Sequence, residues 1–233
     1  MTMLDPSKDS AATAFARLAV ELHDAPGVEE TVDAVVQFAL QALNCTYAGI
    51  ALSVRGSRPE IAAVTDPVVA EVYELQIGNQ SGPLVTAMRE RQPVLIRDTT
   101  TDQRWPEWAA KVATLGVRSV LDVPLATGHV RSPSVGVMGL YSPDPDAFAA
   151  DDEAVAHILA RHASVALASA RHEASMAQAI DARKLVGQAM GILMERFDID
   201  ADRAFAVLKR YSQDTNTKLR DVAEQLINTR KLP

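Results

Sequence analysis

The chain has 233 residues, 48% of them apolar and 5% aromatic, with a net charge of −7. That length allows one large domain or two small ones with real cores. No apolar run approaches the ~20 residues that span a bilayer, and the N-terminus lacks the basic-then-apolar order of a signal peptide. A single cysteine, Cys45, excludes an internal disulfide or a multi-cysteine metal site, and together these features point to the cytoplasm. The charge is uneven. Residues 181–233 hold ten basic against eight acidic side chains, a surplus of two, which leaves −9 on residues 1–180. An acidic body with a weakly basic end is compatible with a nucleic-acid partner and does not by itself demonstrate one.

Taken in order, Thr13–Leu22 and Val28–Leu43 carry apolar residues at helical spacing, separated by the breaker DAPG. Val32, Val35, Val36, Ala39, Leu40 and Leu43 form one stripe, suited to packing on a sheet or a partner. Thr46–Val54 reads as a buried strand, Arg55–Pro59 as a turn and Ile61–Val64 as a short strand. Asp66–Ile77 and Leu84–Arg91 are predicted helices around the loop GNQSGP, and Val94–Ile96 a short strand. A polar loop, Asp98–Glu107, carries Trp105 and is closed by a short helix, Trp108–Leu115. Ser119–Leu125 and Val135–Tyr141 read as neighbouring strands around a turn at His129–Ser134 with Pro133. Strands this close in sequence favour an α+β domain with an antiparallel sheet flanked by helices over a parallel doubly wound one.

From Asp146 to Val186 there is no glycine or proline, and alanine recurs. One continuous helix over Asp151–Arg196 would reach roughly 70 Å at ~1.5 Å per residue. Val155, Ile158, His162, Val165, Ser169, His172, Met176 and Ala179 fall at alternating three- and four-residue steps, a weak or adjustable coiled-coil seam. The alternative is a final sheet-packing helix that ends near Arg171. Beyond it, Leu185, Val186, Ala189, Ile192 and Leu193 form a stripe, while Gly187 and Gly191 suggest the close approach of another helix or a ligand. Phe197–Asp200 is a turn, and Asp200 caps Ala201–Ser212, whose buried face is expected to be Ala204, Phe205, Leu208 and Tyr211. Thr217 is expected to cap a last helix, Lys218–Thr229, with Leu219, Val222, Ala223, Leu226 and Ile227 inward. The C-terminal part is thus a small three-helix bundle.

No catalytic constellation emerges. GNQSGP lacks the Lys-Ser/Thr ending of a phosphate loop, and His23, His129, His157, His162 and His172 lack metal-ligand spacing. His157, His162 and His172 fall on the long helix. Cys45 reads as a buried structural thiol. Asp98, Asp102 and Asp122 read as loop and turn carboxylates without a paired site. The expectation is a non-enzyme with no cofactor and no metal.

Two resemblances add to this. GNQSGP, QPVLIRDTTTDQRWPEWA, GVRSVLDVPL and VGVMGLYSPDPDAF, in that order, resemble a GAF domain over roughly Ala25–Ala170. This implies a small-molecule sensor that encloses its ligand between the sheet and the helices and loops over one face. Tyr47, Tyr73, Trp105, Trp108 and Met138 are the candidate pocket residues, or else ordinary core. A GAF-type methionine sulfoxide reductase is expected to need more than one cysteine.

AMGILMER, DADRAFAVLKRYS and TNTKLRDVA, within Arg183–Ala223, resemble the ANTAR domain, which implies binding of RNA hairpins in a nascent transcript and antitermination. The sequence departs from that family at Met190, where Lys is frequent, which removes one phosphate contact. RNA readers use amides, guanidinium planes and aromatic rings on unstacked bases. The candidate RNA-binding residues are Arg183, Gln188, Met190, Arg196, Lys209, Arg210, Tyr211, Asn216, Thr217, Lys218 and Arg220. Asn216, Thr217, Lys218 and Arg220 lie beside helix N–H groups that suit a phosphate. Against this, charged residues on small helices are commonly solvated faces, and Tyr211 is commonly a core-edge ring.

The expected organisation is a helical lead (1–24), a GAF-like sensor (25–163), a coiled-coil linker (164–182) and an RNA-binding bundle (183–233). The expected function is a cytoplasmic antitermination regulator, a homodimer that holds tandem hairpins. The alternatives are a sensor whose helical tail docks on a protein partner without nucleic acid and, third, an enzyme.

Overall fold

In the computed structural model, which describes residues 13, 16–22, 24–54, 57–126 and 135–231, the first unit is organised by an antiparallel sheet. Among the described residues the strands are β1 (Tyr47–Leu52), β2 (Glu60–Val64), β3 (Val94–Ile96), β4 (Ser119–Leu125) and β5 (Gly136–Ser142), in spatial order β2-β1-β5-β4-β3. The middle strands β1, β5 and β4 are apolar almost throughout, as strands covered on both faces must be. β4 and β5 pair from Ser119↔Ser142 to Leu125↔Gly136.

Successive side chains of a strand point to opposite faces, so each strand feeds two cores. Leu121, Val123 and Leu125 join Val32, Val35, Val36 and Ala39 of α1 (Val28–Ala42) and Leu159, Ala163 and Leu167 of α5 (Ala150–Phe197). Val120 and Tyr141 join Val69, Val72 and Tyr73 of α2 (Pro67–Asn79), Leu84 and Ala87 of α3 (Pro83–Glu90), and Trp108 and Val112 of α4 (Pro106–Thr114). The α+β fold is therefore a sheet between two helical layers. Residues 16–22 are helical, with Leu18 and Leu22 in the first of these cores.

The helix starts follow local chemistry. α2, α3 and α4 each open on proline, whose fixed φ and missing N–H suit a first turn, so α4 begins at Pro106 rather than Trp108. The Asp66 carboxylate accepts from Val68 N–H at 2.9 Å. Buried Gln76 joins α2 to α3: its Oε1 accepts from Leu84 N–H at 2.8 Å and its Nε2 donates to Val72 O at 3.2 Å. Gly82 sits between them at φ 139°, and a β-carbon there would lie 2.6 Å from Gln76 Cγ.

α5 is unbroken over 48 residues, so the helix does not end near Arg171. Ala156, Leu159, Ala160, Ala163 and Leu167 face the sensor core, whereas Ile158, Val165 and Met176 of the seam are 47%, 65% and 53% exposed. The Arg171 guanidinium donates to Val135 O and Ser53 O at 3.4 and 3.3 Å, and every residue from 172 to 181 is exposed. The chain divides into two compact units, Met1–Arg171 and His172–Pro233.

In the second unit the end of α5 packs with α6 (Ala201–Asp214) and α7 (Leu219–Thr229) around Ala189, Leu193, Ala204, Leu208, Val222, Ala223 and Leu226. Asp200 caps α6, accepting from Arg203 N–H at 2.8 Å. Two expectations are corrected here. Phe205 is 41% exposed and stands outside this core, because Ala204 and Leu208, with Val207 and Tyr211 packed beside them, complete the inward face of α6. Thr217 does not cap α7; the N-cap residue is Lys218, without a side-chain bond, and the Thr217 hydroxyl donates to Thr215 O. At Gly187 and Gly191 a β-carbon would meet nothing within 4 Å, so among the described residues no helix of this chain makes the close approach expected there. Residues 55 and 56 of the turn expected at Arg55–Pro59, the turn expected at His129–Ser134, and His23 lie outside the described residues.

Candidate nucleic-acid interface and sensor pocket

On the second unit, the corner between α6 and α7 is built from its own hydrogen bonds. Ser212 Oγ donates to Thr217 O at 2.7 Å, Thr217 N–H donates to Ser212 O at 3.1 Å, and Thr215 Oγ1 donates to Tyr211 O at 2.7 Å. This brings Asn216 to φ 50°, a left-handed conformation that asparagine tolerates well, and leaves its side chain exposed. Lys218 and Arg220 follow directly, both exposed, at a helix start that carries no side-chain cap. Asn216, Thr217, Lys218 and Arg220 are thus held together on one corner.

The remaining candidates are more dispersed. Arg183 and Met190 stand seven residues apart on α5 and so share a helical face, with Met190 partly packed on the bundle core; Gln188 points elsewhere. Arg196 is committed to the fold: its Nη1 donates to Arg230 O, just past the end of α7, at 2.6 Å. Lys209, Arg210 and Tyr211 are consecutive, so they point in directions ~100° apart. Arg210 pairs with Asp214 at 3.6 Å, and Tyr211 is half-buried against the core. Arg183, Lys209, Lys218 and Arg220 make no ion pair among the described residues.

In the first unit the five candidate pocket residues separate. Tyr73 is fully buried and Trp108 is 7% exposed, and both stand in the core under α2, α3 and α4, with Tyr47 and Trp105 partly buried at its margin. Met138 is buried in the opposite core, against α1 and α5. It does not share a pocket with the other four, because its position on β5 alternates with that of Tyr141. Trp105 lies under the Arg104 guanidinium, 4.9 Å from its ring centroid. An open depression near it, lined by Leu95, Arg97, Asp98 and Arg104 among others, has its charges paired. Asp98 holds Arg118 at 2.7 Å, Asp102 holds Arg104 at 2.6 Å, and Arg97 meets Asp146. The Arg118 guanidinium holds the Asp98 carboxyl well below the usual carboxylate range.

Asp122 corrects the sequence expectation most sharply. It is no loop carboxylate: it lies mid-strand on β4, fully buried, opposite Gly139 of β5. Both of its carboxyl oxygens lack a hydrogen-bond partner, while the Tyr73 hydroxyl accepts from Gly139 N–H at 3.1 Å and interacts with the Tyr141 hydroxyl. Tyr73 and Tyr141 meet edge to face with centroids 6.1 Å apart. Burial pushes the Asp122 carboxyl up to about 8, and it raises both phenols as well. The signal that marks this residue is present in SVLDVPL, where one acid interrupts an apolar run too regular for a turn.

Nucleophilic and metal chemistry find little support here. Burial pushes the Cys45 thiol up to about 12, and its Sγ donates to Ala39 O at 3.6 Å, so it is a neutral packed thiol. Among the described residues, no group of three or more His, Cys, Asp or Glu side chains is placed to hold a metal ion. No described helix is long and apolar enough to cross a membrane.

Comparison with known families and structures places these features. The GAF domain model matches residues 27–167, and the ANTAR domain model matches residues 174–227. A search of the curated proteins finds no match. Among solved structures, the chain is similar to the GAF domain of an Acinetobacter phosphoenolpyruvate-protein phosphotransferase, at 16% identity and a TM-score of 0.54, covering 71% of this chain and 98% of that one. The GAF domain of the corresponding Coxiella burnetii protein gives 17% identity and a TM-score of 0.53, covering 71% and 96%. The free methionine-R-sulfoxide reductase of Neisseria meningitidis gives 15% and 0.53, covering 74% and 96%. At these identities the likenesses speak to the fold alone.

Proposed function

The chain belongs to the GAF-domain family and carries an ANTAR domain, an architecture that joins a sensory domain to an RNA-binding antitermination output, and from it we propose a cytoplasmic, non-enzymatic regulator that holds tandem RNA hairpins as a homodimer. The ANTAR match over residues 174–227 carries this reading, on a bundle whose Arg183, Lys209, Lys218 and Arg220 are exposed and free of ion pairs among the described residues. The corner Asn216–Arg220 supplies an amide for a base edge and two cations for phosphates beside an uncapped helix start. Arg210 and Tyr211 stand near it at the end of α6 in a supporting role, Gln188 adds an amide from α5, Arg196 acts by bracing α7, and Met190 leaves Arg183 as the cation of its α5 face.

The surplus of two positive charges on residues 181–233 is small for an isolated binder. Two bundles acting on two hairpins gain affinity from effective concentration when the geometry fits both. The exposed Ile158, Val165 and Met176 along α5 offer a seam for the second copy. A signal in the GAF domain, through a small-molecule ligand held near Tyr73 and Trp108, would change the pairing or register of residues 164–182.

The test is a gel-shift titration of the full chain against a two-hairpin RNA and its single-hairpin halves. Tighter binding of the tandem RNA is expected, and absence of binding at low salt refutes the RNA reading. A second reading, docking of the helical tail on a protein, is favoured by the exposed Phe197 and Phe205, at 57% and 41%. It predicts that no hairpin RNA binds while the chain retains a protein partner that competes at these two rings.

A further inference from the structure

We propose that Asp122, Tyr141 and Tyr73 form the recognition point of the sensor domain, and that it takes a small organic cation bearing N–H donors, an ammonium or amidinium group. This rests on the reading of the first unit as a ligand sensor and names the ligand's chemistry.

Three observations converge. Among the described residues, both carboxyl oxygens of buried Asp122 are left without a hydrogen bond, and the Tyr141 hydroxyl beside them has only the Tyr73 hydroxyl to interact with. A β-carbon on Gly139 would meet Tyr141 Oη and stand 2.8 Å from Asp122 Oδ1. Buried polar groups in folded chains are nearly always paired, so an acid with both oxygens unpaired beside two phenols marks a site whose partner comes from outside the fold.

Second, the room for them is made by glycines. Gly49 of β1 pairs with Gly139 of β5, which faces Asp122 of β4, so two residues without side chains lie in register beside the acid. A β-carbon on Gly49 would lie 3.0 Å from Tyr73 Cε2 and 2.7 Å from Val69 Cγ1. Any larger residue at either position would push the phenol rings off the sheet. Third, packing does not call for an acid at position 122. Val120 on the same face and Leu121 and Val123 beside it are apolar and fully buried or nearly so.

The chemistry of the cluster selects the ligand. The two carboxyl oxygens are acceptors, and ionised they accept a forked pair of N–H groups, the geometry of an amidinium. Tyr141 Oη offers a further acceptor, and oxygens gathered in this way favour a cation over an anion. No lysine or arginine is buried among the described residues, so a carboxylate or phosphate ligand would meet an unpaired acid. Binding a cation converts an isolated buried acid into a hydrogen-bonded ion pair. α2 and α3, joined through Gln76, roof the cluster, so entry separates them from the sheet.

The experiment is calorimetric titration of the full chain with benzamidinium chloride and benzylammonium chloride, with sodium benzoate and benzyl alcohol as matched anion and neutral probes. Saturable binding of at least one cation is expected, weakened at least tenfold in Asp122→Asn and severalfold in Tyr141→Phe, which removes only the hydroxyl. Cation binding unchanged in both variants overturns the assignment, and so does no saturable binding of either cation. If benzoate or benzyl alcohol binds and the cations do not, the assignment falls while the ligand-sensor reading stands. If none of the four probes binds, both fall.

Discussion

Asp122 is where a single residue carries most consequence. Its folded pKa of about 8 lies above the ~3.9 of an unfolded aspartate. The unfolded chain therefore loses its proton first, so the contribution of Asp122 to the stability of the sensor domain is full below about pH 4 and falls as pH rises toward 8. The integrated loss is on the order of several kcal/mol at ~1.4 kcal/mol per pKa unit. Urea unfolding followed at pH 5, 7 and 8.5 should show this decline in the wild type, and Asp122→Asn should flatten it. An equal slope in both would show that the acid is not held neutral by burial. At Gly82 the constraint is conformational. Gly82→Ala is expected to cost about 1–3 kcal/mol, because φ 139° is strained for any L-residue with a side chain and the new β-carbon presses on Gln76. Denaturant midpoints would measure it, and a neutral result would mean that the α2–α3 joint relaxes freely.

Among the elements, the corner between α6 and α7 and the long helix α5 divide the work. The corner is rigid through Ser212 and Thr217, so its cations act from a fixed place. Replacing Lys218 and Arg220 together by alanine should weaken hairpin binding and lower the slope of log affinity against log salt by about 2, one for each lost phosphate contact. An unchanged salt slope would move the phosphate site elsewhere on the bundle. Much of α5 was legible from the absence of glycine and proline between Asp146 and Val186, because helix continuity is decided by local backbone preferences. Which of its faces meets the sensor is not local. Leu159, Ala163 and Leu167 turn inward because α1 and the sheet lie there, and that leaves Ile158 and Val165 outside.

For the whole molecule, the uneven charge and the exposed seam bear on assembly. Val165→Glu with Met176→Glu places two carboxylates on the seam and is expected to shift the chain to monomer in sizing with light scattering. Affinity for a two-hairpin RNA should then fall toward that for one hairpin, as the effective-concentration gain disappears. A variant that stays dimeric, with tandem affinity intact, would place the dimer contact away from α5.

The α+β class, the antiparallel pairing of β4 with β5, the cap at Asp200 and the two family resemblances were all written in the sequence, because periodicity, capping chemistry and motif order are properties of neighbouring residues. The corner Asn216–Arg220 was legible for the same reason. Long-range neighbours decided the rest. Met138 and Tyr73 were grouped by composition and parted by the two faces of one sheet. Phe205 has the sequence of a core residue, yet the bundle closes on the small side chains of Ala189, Ala204 and Ala223 and leaves it exposed. Asp122 reads as a surface acid until three covering helices and two glycines bury it without a partner. Pairing and burial depend on what the folded chain brings from far away, which no window of sequence contains.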